Sequence, residues 1–224
     1  MVAEKLTAVR MRIDDAAARS RRDPASVTLV AVTKGQPVDV ILEAYNLGHR
    51  DFGENRAAEL AEKAPLLPDD IRWHFIGSLQ TRQANLARPH THLLHSLDRP
   101  RLINRWADPD GPPPALLQVN IAEEPQKHGA GVTQVRDLIG QAEERGIDCR
   151  GLMCIAPLVH DGEENRRWFI ALRRLRDELL PEYPGLTELS MGMTDDFEVA
   201  IEESATLIRV GRAIFGAPGQ YRDS

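Results

Sequence analysis

Lys34 stands at the end of the β-rich run Thr28-Leu29-Val30-Ala31-Val32-Thr33 and just before the turn residues Gly35-Gln36-Pro37. At the mouth of a buried strand a lysine is expected to be poorly solvated, which lowers its pKa and favours the neutral, nucleophilic amine. That amine is what a Schiff base with an aldehyde requires. A surface lysine just past a strand gives the same local sequence, so the rest of the chain has to decide. Ser190-Met191-Gly192-Met193-Thr194 leads from a strand towards a helix. Hydroxyls and outward-pointing backbone N–H groups at a helix start suit a phosphate, although Ser or Thr there is equally a routine helix cap. Arg209-Val210-Gly211-Arg212 follows the last strand, and its glycine lets backbone approach an anion closely. Gly53-Glu54-Asn55 offers a carboxylate and an amide at another strand end, with helix capping the simpler role for Asn55. His74 lies inside the apolar run Trp73-His74-Phe75-Ile76 and reads from its neighbours as a hydrogen-bonded core histidine.

Other chemistries find no support in the spacing. The seven histidines show no metal-binding pattern, so no metal is assigned. Cys149 and Cys154 have neither CxxC spacing nor a partner pair, and read as two small buried thiols. No nucleophile elbow, Walker loop or dinucleotide fingerprint occurs.

Short apolar strands and helical stretches must hold these residues. Candidate strands fall at 28–33, 50–53, 72–76, 92–95, 115–120, 150–154, 187–190 and 206–210. An amphipathic helix is expected over residues 1–24, with Leu6, Val9, Ile13, Ala16 and Ala17 on one face. Later stripes, Val132, Val135, Leu138, Ile139 and Ala142, then Trp168, Leu172, Leu175 and Leu179, suit packing on a sheet. Strands alternating with helices pair in parallel through right-handed crossovers, and eight candidates favour a closed (β/α)8 barrel over an open sheet. The proline-rich stretch 108–114 is a stiff loop and not a linker, because the alternation resumes at Ala115. In such barrels chemistry collects at the C-terminal ends of the strands, and the loops after strands seven and eight hold phosphate. The residues singled out above mostly follow strands in this way.

The chain has 224 residues and a net charge of −6, from 28 basic and 34 acidic residues. That suits one domain over residues 1–224, with a tail at 217–224. An acidic surface argues against nucleic acid and anionic membranes as partners. The N-terminus lacks an apolar signal region, and no stretch is long enough to span a membrane. A soluble cytoplasmic protein is expected.

Several ordered motifs carry a resemblance. They are Ala31-Val32-Thr33-Lys34, Phe52-Gly53-Glu54-Asn55, Trp73-His74-Phe75-Ile76-Gly77 with Leu79-Gln80, and Gln118-Val119-Asn120. Lys127 with Gly129, Gly151-Leu152-Met153, Leu189-Ser190-Met191-Gly192-Met193-Thr194, and Arg209-Val210-Gly211 with Ile214-Phe215-Gly216 follow. Together they span residues from about 28 to 216, and the chain resembles the pyridoxal phosphate homeostasis protein family, relatives of the N-terminal barrel of alanine racemase. The resemblance implies a modified TIM (β/α)8 barrel holding pyridoxal 5′-phosphate on Lys34. Ser190 and Thr194 match the phosphate hydroxyl positions, Gly211 and the Arg212 backbone match the second phosphate loop, and Arg209 matches the arginine facing the pyridine nitrogen. Asn55 and His74 match positions that line the cofactor. The chain departs from the family in carrying Arg82-Gln83 where Asn-Lys is frequent, and Ala58 where Gln is frequent before the glutamate.

A guanidinium does not readily give up a proton, so Arg209 would leave the pyridine nitrogen unprotonated and the ring a poor electron sink. None of Tyr45, Tyr183 and Tyr221 presents itself as an opposing acid–base residue. The expectation is a monomeric binding and homeostasis protein with no catalytic residue, which holds pyridoxal 5′-phosphate and delivers it to dependent apoenzymes. A pyridoxal-dependent amino-acid racemase and a cofactor-free Schiff-base aldolase are the alternatives.

Overall fold

In the computed structural model the described residues, 1–159 and 161–216, build a closed barrel of parallel strands; the expected tail at 217–224 lies outside them. The strands are β1 (Thr28–Val32), β2 (Asp51–Glu54), β3 (Arg72–Phe75), β4 (Leu93–Leu97), β5 (Ala115–Gln118), β6 (Cys149–Met153), β7 (Glu188–Ser190) and β8 (Leu207–Val210). Each pairs with the next, and β8 returns to β1, with Val30 opposite Arg209. All eight strands lie where apolar runs fall in the sequence, with ends shifted by at most a few residues.

The helices are α1 (Val2–Arg19), α2 (Val38–Asn46), α3 (Ala57–Lys63), α4 (Ala84–Ala87), α5 (Pro100–Trp106), α6 (Val135–Glu144), α7 (Arg166–Leu179), α8 (Phe197–Glu202) and α9 (Arg212–Phe215). The first helix stops at Arg19, short of the expected residue 24. There the Ser20 hydroxyl donates to Ala16 O, and Arg21 enters the left-handed region at φ 56°. It packs on α8 and α9 and completes the outer ring. The α7 stripe is also read more fully in three dimensions: Phe169, Leu172 and Leu179 are buried, while Trp168 and Leu175 are only partly covered.

Period-two alternation sorts the strand residues into two layers. Leu29, Ala31, Phe52, Phe75, Leu117, Leu152 and Ile208 face outward under the helices. Val30, Leu93, Leu116, Met153 and Leu207 form a separate apolar cluster inside the barrel. Each fully buried side chain of this size contributes about 1.5–3 kcal/mol. Further inward positions, Asp51, His74, His95, Ser190 and Arg209, are polar. No helix among the described residues is long and apolar enough to cross a membrane.

Candidate functional site

Inward parity on β1 runs Val30, Val32 and then Lys34, so the chain itself brings the lysine to the C-terminal mouth of the barrel. Gly211, at the end of β8, lies beside it: a Cβ there would come within 3.2 Å of both Val32 Cβ and Val32 O. Lys34 is exposed. The expected poor solvation does not hold, because the mouth opens to water where β1 ends. Asn55 and Gly77 come to the same rim from β2 and β3, bordering a cavity of about 240 Å³ with Gln118, Lys127 and Ile155.

A buried ionic cluster grips the backbone on both sides of Lys34. Glu54 is wholly buried, and its Oε1 accepts from Thr33 Oγ1 at 2.7 Å and from Lys63 Nζ at 2.7 Å. The same ammonium donates to Thr33 O at 2.8 Å and to Glu59 Oε1 at 2.6 Å. Glu59 Oε1 in turn accepts the Gly35 N–H at 2.5 Å. Burial pushes the Glu54 carboxyl above its ordinary range, opposed by Lys63 and Thr33, and its Oε2 has no partner among the described residues. Glu59 is less buried. Desolvation acts upward on it too, but the bonds from Lys63 and Gly35 outweigh this and hold it below the ordinary range. Residues 33 and 35 are thereby fixed while the Lys34 side chain between them is exposed.

A second polar line crosses the barrel interior. Asp51 accepts from Arg72 Nε at 2.7 Å and Arg72 Nη2 at 2.6 Å, and its Oδ1 lies 3.1 Å from His74 Nε2. His74 Nδ1 meets His95 Nε2 at 2.9 Å, and His95 Nδ1 meets Ser190 Oγ at 2.8 Å. Arg209 donates to Ser190 Oγ at 2.5 Å and to Cys154 O at 2.8 Å. Burial pushes His95 well below the ordinary imidazole value, and the nearby His74 and Arg209 add to this. Burial alone would raise Asp51, but the bonds from Arg72 and His74 prevail and hold it well below the usual carboxylate range. Arg209 is buried, which lowers its pKa, and among the described residues it donates to no carboxylate.

The loop after β7 differs from expectation. Helix α8 begins at Phe197, three residues past Thr194, and the Met193 N–H is already bonded to Asp196 Oδ1 at 2.6 Å. Neither Ser190 nor Thr194 caps it. Gly192 sits at φ 92°, where a Cβ would fall 2.6 Å from Ala200 Cβ, so only glycine fits this turn. The Arg212 side chain is exposed and paired with Asp195. Asn55 is not a cap either, since Arg56 holds that position for α3. His74 lies inside the barrel, two hydrogen bonds from Ser190 through His95. Both cysteines are buried and free, their thiols pushed up by burial to about 12.

A closed parallel barrel with a lysine, an arginine and glycine loops at its C-terminal side has the alanine racemase N-terminal-domain-like fold. No family model matches the chain. A pyridoxal phosphate homeostasis protein of Aquifex aeolicus is 40% identical over 220 residues, 95% of this chain and 96% of the relative. The solved structure of PipY of Synechococcus elongatus without PLP superposes with a TM-score of 0.84 at 37% identity, covering 96% of this chain and 100% of PipY. PipY with PLP bound gives a TM-score of 0.81 at 36% identity, with the same coverage. The chain belongs to the pyridoxal phosphate homeostasis protein family.

Two outcomes follow from this geometry. Replacing Lys63 with Met keeps the aliphatic stem and strands the Glu54 charge, so stability should fall by about 3–5 kcal/mol. Urea denaturation measures it, and a loss below about 1 kcal/mol contradicts the cluster's role. His95 gives the second. The unfolded chain takes up a proton on it below about pH 6.5, whereas the folded chain refuses that proton until well below. The unfolded state thus binds more protons in acid, so this contribution is complete above about pH 6.5 and is lost as pH falls. The urea midpoint should drop between about pH 7 and pH 5, and drop less in His95→Asn; equal drops contradict this.

Proposed function

We propose that this protein binds pyridoxal 5′-phosphate at the barrel mouth through a covalent link to Lys34, and serves intracellular homeostasis of that cofactor without robust catalysis of its own. The observation that carries the reading is the gathering of Lys34, Asn55, Gly211 and the Ser190–Arg209 pair at one end of one barrel. Membership of the family and the PLP held by PipY support it. The residues present also fit the group. Asn55 Oδ1 is buried at the mouth with no partner among the described residues, which invites a donor from a ligand. The space beside Val32 that a Cβ at Gly211 would fill is a cradle for an anion.

When bound, pyridoxal 5′-phosphate supplies an electrophilic aldehyde that an amine captures reversibly. The protein's part is to present that amine, orient the ring and hold the phosphate. Lys34 supplies the amine, on a turn fixed by Glu54, Glu59 and Lys63. Ser190, Thr194, Gly211 and the Arg212 backbone take the phosphate, and Asn55 orients ring substituents. His74 supports the site from below through His95. Arg209, anchored on Ser190 and Cys154 O, presents a guanidinium to the pyridine nitrogen and gives it no proton.

Among the described residues neither tyrosine stands as an acid–base partner for racemisation. The Tyr45 hydroxyl donates to Asp70 and the Tyr183 hydroxyl to Arg136 O, both outside the barrel; Tyr221 lies outside the described residues. A carrier that holds the cofactor for dependent apoenzymes is the role that matches, in a cytoplasmic, monomeric, single-domain protein.

The test is the absorbance of the protein with added pyridoxal 5′-phosphate beside that of Lys34→Ala, together with an amino-acid racemisation assay. A band of lysine-bound cofactor in the first protein only, with no turnover, is expected. A band in both proteins, or turnover at ordinary enzymatic rates of about 1 per second or more, contradicts the reading.

A further inference from the structure

The loop from Ser190 to Thr194 is held by different means in its two halves. The first half belongs to the barrel: Ser190 O accepts the Cys154 N–H at 3.1 Å, and Gly192 O accepts the Arg209 N–H at 3.0 Å. Beyond Gly192 the chain has left the sheet, and one carboxylate closes a turn. Asp196 Oδ1 accepts the Met193 N–H at 2.6 Å, while Met193 O accepts the Asp196 and Phe197 N–H groups at 3.2 Å and 2.9 Å. Thr194 lies inside that turn, so its place depends on how the Asp196 carboxylate is aimed.

The aim is set from the segment between β6 and α7. Asn165 is buried, and its Nδ2 donates to Asp196 Oδ2 at 2.8 Å and to Pro157 O at 3.1 Å. A carboxylate and a carbonyl both accept, so the amide nitrogen and not the amide oxygen faces them. Asn165 Oδ1 is left buried with no partner among the described residues. An orphaned acceptor costs stability, and such costs collect where an arrangement matters more than the bonds themselves.

The backing is close on all sides. Gly162 lies directly against the loop: a Cβ there would fall 2.5 Å from Asp195 O and 3.0 Å from Asp196 Cα. The Asp161 side chain opens this short turn by accepting the Glu163 N–H at 3.0 Å. Arg166, the residue after Asn165, donates to Glu202 at 2.6 Å and to Glu203 at 2.8 Å. Two consecutive residues thus hold α8 at both ends, Asn165 where it starts and Arg166 where it stops.

We propose that Asn165 is a positioning residue for phosphate recognition. Acting through Asp196, it holds the turn that carries Thr194 and so selects the phosphorylated cofactor over the same aldehyde without phosphate. It touches no ligand itself. The proposal rests on the reading that this loop takes the phosphate and Lys34 the aldehyde.

The test compares pyridoxal 5′-phosphate with pyridoxal, which brings an aldehyde to Lys34 but no phosphate to the loop. Both affinities are read from the absorbance of the lysine-bound form. In Asn165→Leu the ratio of the two should fall about tenfold, the scale of one lost hydrogen bond to a charged group. Asp196→Ala should lower it likewise. Adding Asn165→Leu to Asp196→Ala should lower it no further, because the one residue acts through the other. In the unaltered protein, hydrogen exchange followed by NMR at the Met193 N–H and the Asn165 side-chain amide should slow with pyridoxal 5′-phosphate and not with pyridoxal. A ligand that binds only the closed turn keeps it closed, and this readout needs no variant to fold. A ratio unchanged in Asn165→Leu, full additivity in the double variant, or exchange slowed equally by both ligands overturns the positioning role and leaves the cofactor reading intact. If neither ligand forms a lysine-bound species in the unaltered protein, both fall.

Discussion

The pairing of β8 with β1 is the constraint on which the rest depends. It joins the last strand to the first, with Val30 opposite Arg209 and Val210 opposite Ala31. Only through that closure does Gly211 reach Val32 and the lysine beyond it. It also fixes parity: once Val30 and Arg209 both face inward, Lys34 two steps above Val32 has to emerge at the mouth. A slip of one residue in either strand would send the lysine out under the helices and turn the arginine away from Ser190.

Inside that frame the molecule keeps two polar networks where an apolar plug would serve stability as well or better. The Glu54–Lys63–Glu59 cluster lies between barrel and helix and holds the turn of Lys34 from behind. The line from Arg72 to Arg209 runs through the interior and fixes Ser190 and the guanidinium from below. Apart from the half-exposed Arg72, both are largely buried and most of their polar atoms are bonded, the condition under which polar groups specify one arrangement. At the mouth, Lys34 is exposed and Asn55 Oδ1 has no partner among the described residues.

How much of this could be read from residues alone follows from the range of each interaction. The strands were legible because apolar runs of four or five residues between turns leave few other readings, and the barrel followed from their count. Lys34, Gly211 and Arg209 were legible because each lies at or just beyond a strand end. The His74–His95 pair was not: each residue is a lone histidine in an apolar strand, and only lateral pairing of β3 with β4 brings them together. An inward-parity search for polar residues at alternate strand positions would have found Asp51 and His95. Lys63 was hidden because it is the last residue of a short helix, where a solvated lysine is the ordinary case. The solvation of Lys34 is not legible in the sequence, since burial of a strand says little about water at its open end.

The central claim is that one lysine, at the mouth of this barrel, makes the covalent link. Borohydride reduction of the protein loaded with pyridoxal 5′-phosphate, followed by peptide mapping, tests it most directly. The account predicts a single phosphopyridoxyl group on Lys34 at close to one per chain. A label distributed over other lysines, with Lys34 unmodified, would contradict it.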